Sequence, residues 1–281
     1  MRLIVQRGIV EQVRALAGEA RTGTKNIGEE TLKKHASIWF VLAVMSGLLL
    51  VAGCGPAAPP TASPGSISKG GLIYDNWSKA IAGATAPTGN QPLWALQTTN
   101  TRTGNDTYRC KECHGWDYRG KDGAYGKGSH LTGFPGVYDA SLSKTKAQLL
   151  DILKGKSDSR HNFATALGEA GLNDLVNFLK EGIVDESKYI DASTKKAITP
   201  NVTRGKERCS SACVSCHGVD GKQILFDRKN SLGFLANDNP WEVLHKIRFG
   251  QPASPMPAGI VSGWTVQDSV DVLGYAQSLP K

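Results

Sequence analysis

Along the chain the apolar positions fall into one near-continuous run followed by several periodic stretches. Residues 1–32 are largely polar, whereas Ile38 to Gly53 is apolar almost throughout and rich in Leu, Val and Ala. From Gly55 to Gly70 Pro, Ala, Ser and Gly dominate, a composition suited to a loose connection rather than a packed element. Further on the spacing becomes helical. Helix-like stretches end at Ile152–Gly155 and, starting from Trp241, at Ile247–Gly250. Each is followed by an amphipathic segment with apolar residues every three or four positions, Leu172 to Lys180 and Val266 to Leu279. The pattern predicts an all-α protein in which one order of parts occurs twice. Between the two copies Asp191 to Pro200 reads as a short connector.

The apolar run has 16 residues, fewer than the roughly 20 of a spanning helix, and Lys33, Lys34 and His35 precede it. Residues 1–53 are therefore expected to be a removable export signal. The long polar leader predicts a translation start nearer Leu32. The run ends at Val51-Ala52-Gly53-Cys54, which resembles a bacterial lipobox and implies that Cys54 carries the lipid anchor. Residues 54–70 would form a tether reaching at most about 50 Å from the membrane, and several acyl chains would hold it there. The protein is thus expected outside the cytoplasm, on a membrane facing the periplasm or the cell exterior.

Charge narrows the partners. The formal net charge is +8, but beyond residue 53 there are 26 basic and 21 acidic side chains, a net +5. The basic residues are scattered, without the dense stripe a phosphate backbone requires, so nucleic acid drops out.

The six cysteines carry more information. Four of them lie in Cys110-Lys111-Glu112-Cys113-His114 and Cys213-Val214-Ser215-Cys216-His217. Each C-x-x-C-H reads as a c-type haem attachment site. Thiols three residues apart on one helical turn can form thioethers to both vinyl groups while the adjacent His reaches the iron. A zinc site would want four converging ligands, and dithiol redox chemistry has no use for the appended His.

On these motifs residues 100–281 resemble two tandem class I cytochrome c modules, the second more closely. Its run Cys213-x-x-Cys216-His217-Gly218-x-Asp220-Gly221 is followed by Ile247-Arg248-Phe249-Gly250 and Met256-Pro257. The resemblance implies two all-α domains, each wrapped around a covalent haem, with His114 and His217 as proximal iron ligands and Met256 as the distal ligand of the second. The first module lacks a Met between 115 and 208. The internal repeat supplies His161, which follows Gly155 by six residues as Met256 follows Gly250. His130 is the alternative. His245 is expected to be a helix-face side chain, with propionate contact as its functional alternative, and Cys209 a small buried thiol one turn before Cys213.

The expected organisation is a first haem domain over 71–190, with an N-terminal extension, and a second over 198–281. Two six-coordinate irons suit electron transfer rather than bond making. Electrons are expected to pass from the bis-His haem to the His/Met haem between protein donors and acceptors, either freely or within a larger respiratory complex. The alternative is a dihaem enzyme with a labile ligand at the first haem. Thiosulfate dehydrogenases are similar in module arrangement but use a distal Cys, and none lies between 113 and 209. Bacterial dihaem peroxidases are similar in ligand pairing.

Overall fold

Ser63 accepts a hydrogen bond from the Ser66 amide at 3.2 Å and Pro64 opens the first turn, so the chain enters helix α1, Pro64–Ala80, on a strong start signal. The computed structural model describes residues 62–85 and 87–281. The apolar run at 38–53, Cys54 and the tether up to residue 61 lie outside the described residues. The tether reading fails for residues 64–70: they form the first two turns of α1, with Ile67, Ser68 and Gly70 buried. Its Pro and Ser residues turn out to be helix-start chemistry, which composition alone resembles linker.

The described chain is mostly helical, as expected. After α1 come α2 (Cys110–His114), α3 (Tyr138–Ser143), α4 (Lys146–Leu153) and α5 (Ala164–Asn177). A two-stranded antiparallel ribbon, β1 (Ile190–Asp191) and β2 (Lys196–Ala197), occupies most of the expected connector, with Ile190 opposite Ala197. Then follow α6 (Val202–Ala212), α7 (Val214–His217), α8 (Leu232–Asp238), α9 (Pro240–Phe249) and α10 (Val266–Ser278). Among the described residues no helix is long and apolar enough to cross a membrane.

Each half is built on a close helix crossing. In the first, α1 packs on α5 where Gly70 lies so near that a Cβ would stand 2.1 Å from the Asp174 carbonyl oxygen. In the second, α6 packs on α10 where a Cβ on Gly205 would stand 2.0 Å from the Asp271 carbonyl oxygen. Only glycine permits either approach. Capping boxes start α4 at Thr145 and α10 at Thr265.

Two hydrophobic clusters form the core, and each takes in side chains from the other half. Trp116 and Tyr125, close behind the first motif in sequence, are buried among Trp241, Leu244, Val270 and Leu273 of the second half. Phe249, from α9, is buried among Tyr74, Phe178 and Leu175 of the first. Helix α1 packs against both α5 and α9, and Ser68 Oγ donates to the Phe249 carbonyl at 2.9 Å. Aromatic side chains carry large apolar area, so this exchange joins residues 61–281 into one compact unit.

Candidate functional site

Helix α2 is one turn long, and its two sides have opposite chemistry. Cys110, Cys113 and His114 line an apolar cavity of about 320 Å³. Lys111 and Glu112 face the other way, buried, where Glu112 pairs with Lys111 and with Arg102 Nε at 3.1 Å. An ion pair behind the helix thus fixes which side the thiols present. The turn stops at Gly115, with φ at 78°, where a Cβ would meet Asp117 Oδ1 at 2.7 Å.

Leu149, Leu153, Leu167, Leu175 and Leu179 from α4, α5 and the π-turn after it wall the cavity. Tyr74 of α1 closes another side. His161 enters from the short turn after α4, and its ring lies 6.2 Å from that of His114, edge to face at 79°. His114 Nδ1 donates to the Pro135 carbonyl at 2.7 Å, which leaves Nε2 as the lone-pair nitrogen. His161 Nδ1 lies 3.4 Å from the Ile152 carbonyl in the same sense. Burial pulls the His114 imidazole down to about 4 and lowers that of His161 too, so both hold a lone pair at neutral pH. Burial likewise pushes the Cys110 and Cys113 thiols up to about 12.

Of the two histidines considered for the partner of His114, the structure brings His161 to the cavity. His130 instead stacks on Tyr125, centroids 4.5 Å apart at 14°, outside the cavity lining. The sequence reading missed what α1 contributes. Tyr74 Oη donates to the Gly115 carbonyl at 2.6 Å, Trp77 Nε1 donates to the Tyr108 carbonyl at 3.1 Å, and Asp75 pairs with Arg109 at 2.5 Å. Every one of these bonds grips the segment leading into or out of α2. Their signal in the sequence was the run Tyr74-Asp75-Asn76-Trp77, two aromatics flanking an acid.

The second motif repeats the backbone without the enclosure. Gly218, with φ at 76°, ends α7 as Gly115 ends α2, and its amide bonds back to Val214 O at 2.9 Å. Cys209 is buried one turn before Cys213 on α6, the packing thiol expected there. Cys216 is exposed, and buried His217 Nδ1 has no hydrogen-bond partner. The loop carrying Met256 doubles back on α9, with Gly259 N bonding Ile247 O at 2.9 Å and Ile260 N bonding Arg248 O at 3.1 Å. The loop carrying His161 does the same on α4 through Phe163 N and Leu153 O at 2.8 Å. Both loops turn at a left-handed glycine, Gly155 at 73° and Gly250 at 92°. Among the described residues no hydrogen bond joins Met256 to His217. Apolar side chains just after the second motif stand exposed, including Val219 and Leu225.

His245 lies on a face of α9, as expected, but that face is turned into the core. It is fully buried, with Nδ1 2.9 Å from Tyr118 Oη and Nε2 3.0 Å from the Gly71 carbonyl. Among the described residues no three His, Cys, Asp or Glu side chains converge as a metal-ion site. No family model, curated protein or solved structure matches this chain.

Proposed function

We propose that the chain is a dihaem c-type cytochrome that passes electrons between protein partners outside the cytoplasm, held to a membrane by a lipid on Cys54. One observation carries this reading: Cys110, Cys113 and His114 line a single apolar cavity with His161 opposite, its ring 6.2 Å from that of His114. That separation is close to what two metal–nitrogen bonds of about 2 Å and two imidazole half-widths span. Leucine walls, two thiols and two lone-pair imidazoles around one cavity would suit a planar, largely apolar macrocycle. Against the rival zinc reading of C-x-x-C, the two thiols and the two imidazoles line the cavity without converging on one point among the described residues.

The haem would supply a metal that changes oxidation state without bond making. The chain's residues do the rest. Cys110 and Cys113 would tether the group at the first site, and Cys213 and Cys216 at the second. His114 and His161 would close the first iron from both faces, with the Pro135 carbonyl orienting His114. His217 and Met256 would do so at the second, the loop after α9 delivering Met256. The leucine wall excludes water and keeps the reorganisation on electron transfer small. Thioether ligation raises a haem potential relative to two imidazoles, so this ligand set would favour electron flow from the first site to the second and on to an acceptor docking there.

The test is a haem count by the alkaline pyridine spectrum, together with carbon monoxide binding to the reduced protein. Two haems per chain and an unchanged spectrum under carbon monoxide are expected. Fewer than two haems overturns the reading. Rapid carbon monoxide binding at the first iron turns it into that of a dihaem enzyme.

A further inference from the structure

One of the side chains by which the second half reaches into the first is an imidazole. His245, on α9, is fully buried beside Trp116 and Tyr74, centroids 4.9 and 5.9 Å away. Its Nε2 faces the Gly71 carbonyl of α1 at 3.0 Å and must donate, so Nδ1 carries the lone pair and accepts from Tyr118 Oη at 2.9 Å. Burial pulls this imidazole down to about 3, which keeps it neutral and preserves that assignment.

Tyr118 is the residue this bond holds. Its φ is 63°, the left-handed region that a bulky side chain seldom adopts and keeps where its surroundings over-determine it. In that conformation its amide bonds to the Gly115 carbonyl at 3.3 Å, next to His114. Its carbonyl accepts from both Val137 N at 2.7 Å and Tyr138 N at 3.0 Å. Those two amides end the segment whose Pro135 carbonyl receives the His114 Nδ1 proton. One left-handed tyrosine therefore ties the turn after α2 to the strand of backbone that orients His114, and its hydroxyl is tied in turn to α9.

We infer that His245 is a positioning residue for the first site: by holding Tyr118 in its left-handed turn, the second half sets the Nδ1–carbonyl hydrogen bond of His114. The inference rests on the haem reading of the first cavity. A firm bond from Nδ1 to a carbonyl makes the imidazole a stronger donor and favours the ferric state. Loosening it raises the potential of the first iron and leaves the second iron, whose ligands it does not touch, as before.

The experiment compares Tyr118→Phe, His245→Phe and His245→Asn as holoproteins, with the two low-spin electron paramagnetic resonance signals and the two midpoint potentials as readouts. Haem content of the parent is counted first. Tyr118→Phe, which removes one oxygen and keeps the aromatic packing, should shift the first iron's signal and raise its potential. His245→Phe should do the same, and combining the two should add nothing further, as for groups acting through one bond. His245→Asn keeps an acceptor where Nδ1 stood and should restore the parent signature. The inference is overturned if Tyr118→Phe leaves the first iron unmoved, if the second iron moves as far as the first, or if His245→Asn is displaced as far as His245→Phe. Should His245→Phe fail to fold, Tyr118→Phe alone decides. A parent without haem in the first cavity overturns the haem reading and this inference together.

Discussion

The two C-x-x-C-H motifs share their signature, their single helical turn and a left-handed glycine behind the His, yet they sit in different surroundings. The first is enclosed: α1 lies along it, a buried ion pair backs it, and a carbonyl receives the Nδ1 proton of His114. The second is open, with Cys216 exposed and His217 Nδ1 unpartnered. The difference teaches that the motif specifies the backbone turn while the walls come from elsewhere. At the first site Tyr74 of α1 closes one side of the cavity, and α1, the extension with no counterpart in the second half, grips the segments on either side of α2. The first cavity is therefore part of the common core, and the second site is its periphery.

The sharpest way to break this comparison is to remove the thiols of each motif in turn. If the first cavity holds the proposed haem, Cys110→Ala with Cys113→Ala should abolish its attachment and cost several kcal/mol, since an apolar cavity would be left in the core. Cys213→Ala with Cys216→Ala should lose the second haem with a smaller fall in melting temperature. Equal losses in the two melts would mean that the second site is as much a part of the core as the first.

Acid is the next probe. His245 is buried in the shared core with its imidazole pulled down to about 3, against an ordinary value near 6.5, so between these pH values the unfolded chain binds a proton that the folded chain does not. Stability should be level above pH 6.5 and fall as pH drops toward 3, by on the order of 5 kcal/mol from this group. Asp75 adds to the acid side of the same contact: burial raises its carboxyl, but Lys246 and Arg109 outweigh that and hold it below the usual range. Its contribution is present above the ordinary carboxylate value and lost as pH falls through its lowered one. Denaturant melts from pH 8 to pH 3 check the slope, and His245→Asn should flatten it.

Smaller effects belong to the two glycine crossings. Gly70→Ala and Gly205→Ala each drive a methyl into a backbone oxygen and should cost about 1–3 kcal/mol. Gly70→Ala should also disturb the first site, because it moves α1, whereas Gly205→Ala should leave the first iron's spectrum alone. Least costly to stability is His161→Ala, at an edge of the cavity. Its effect is spectroscopic: carbon monoxide should bind the reduced first iron in His161→Ala and not in His130→Ala.

Much of this was legible in the chain. The period of apolar residues marked α9 and α10 to within a residue or two, and the six-residue spacing from Gly155 singled out His161, because a repeated backbone turn leaves a repeated interval. What was not legible involved partners distant in sequence. Ser63 and Pro64 carry a helix-start signal, but the Pro- and Ser-rich composition around them reads as a linker, and the burial of this stretch depends on α5 a hundred residues later. His245 looked like an ordinary helix-face residue because Tyr118 and Gly71 lie 127 and 174 positions away.

By itself the sequence determined what local chemistry can encode: helical periodicity, two single-turn thiol motifs each closed by a glycine, and the loop intervals that deliver a further side chain. The tertiary structure alone decided that Trp116 and Phe249 exchange cores, that Tyr74 of α1 closes one side of the first cavity, and that His245 is buried. These outcomes turn on which apolar surfaces meet and which polar atoms are left to be paired inside. Such matching is settled among segments far apart along the chain, where no local spacing rule reaches.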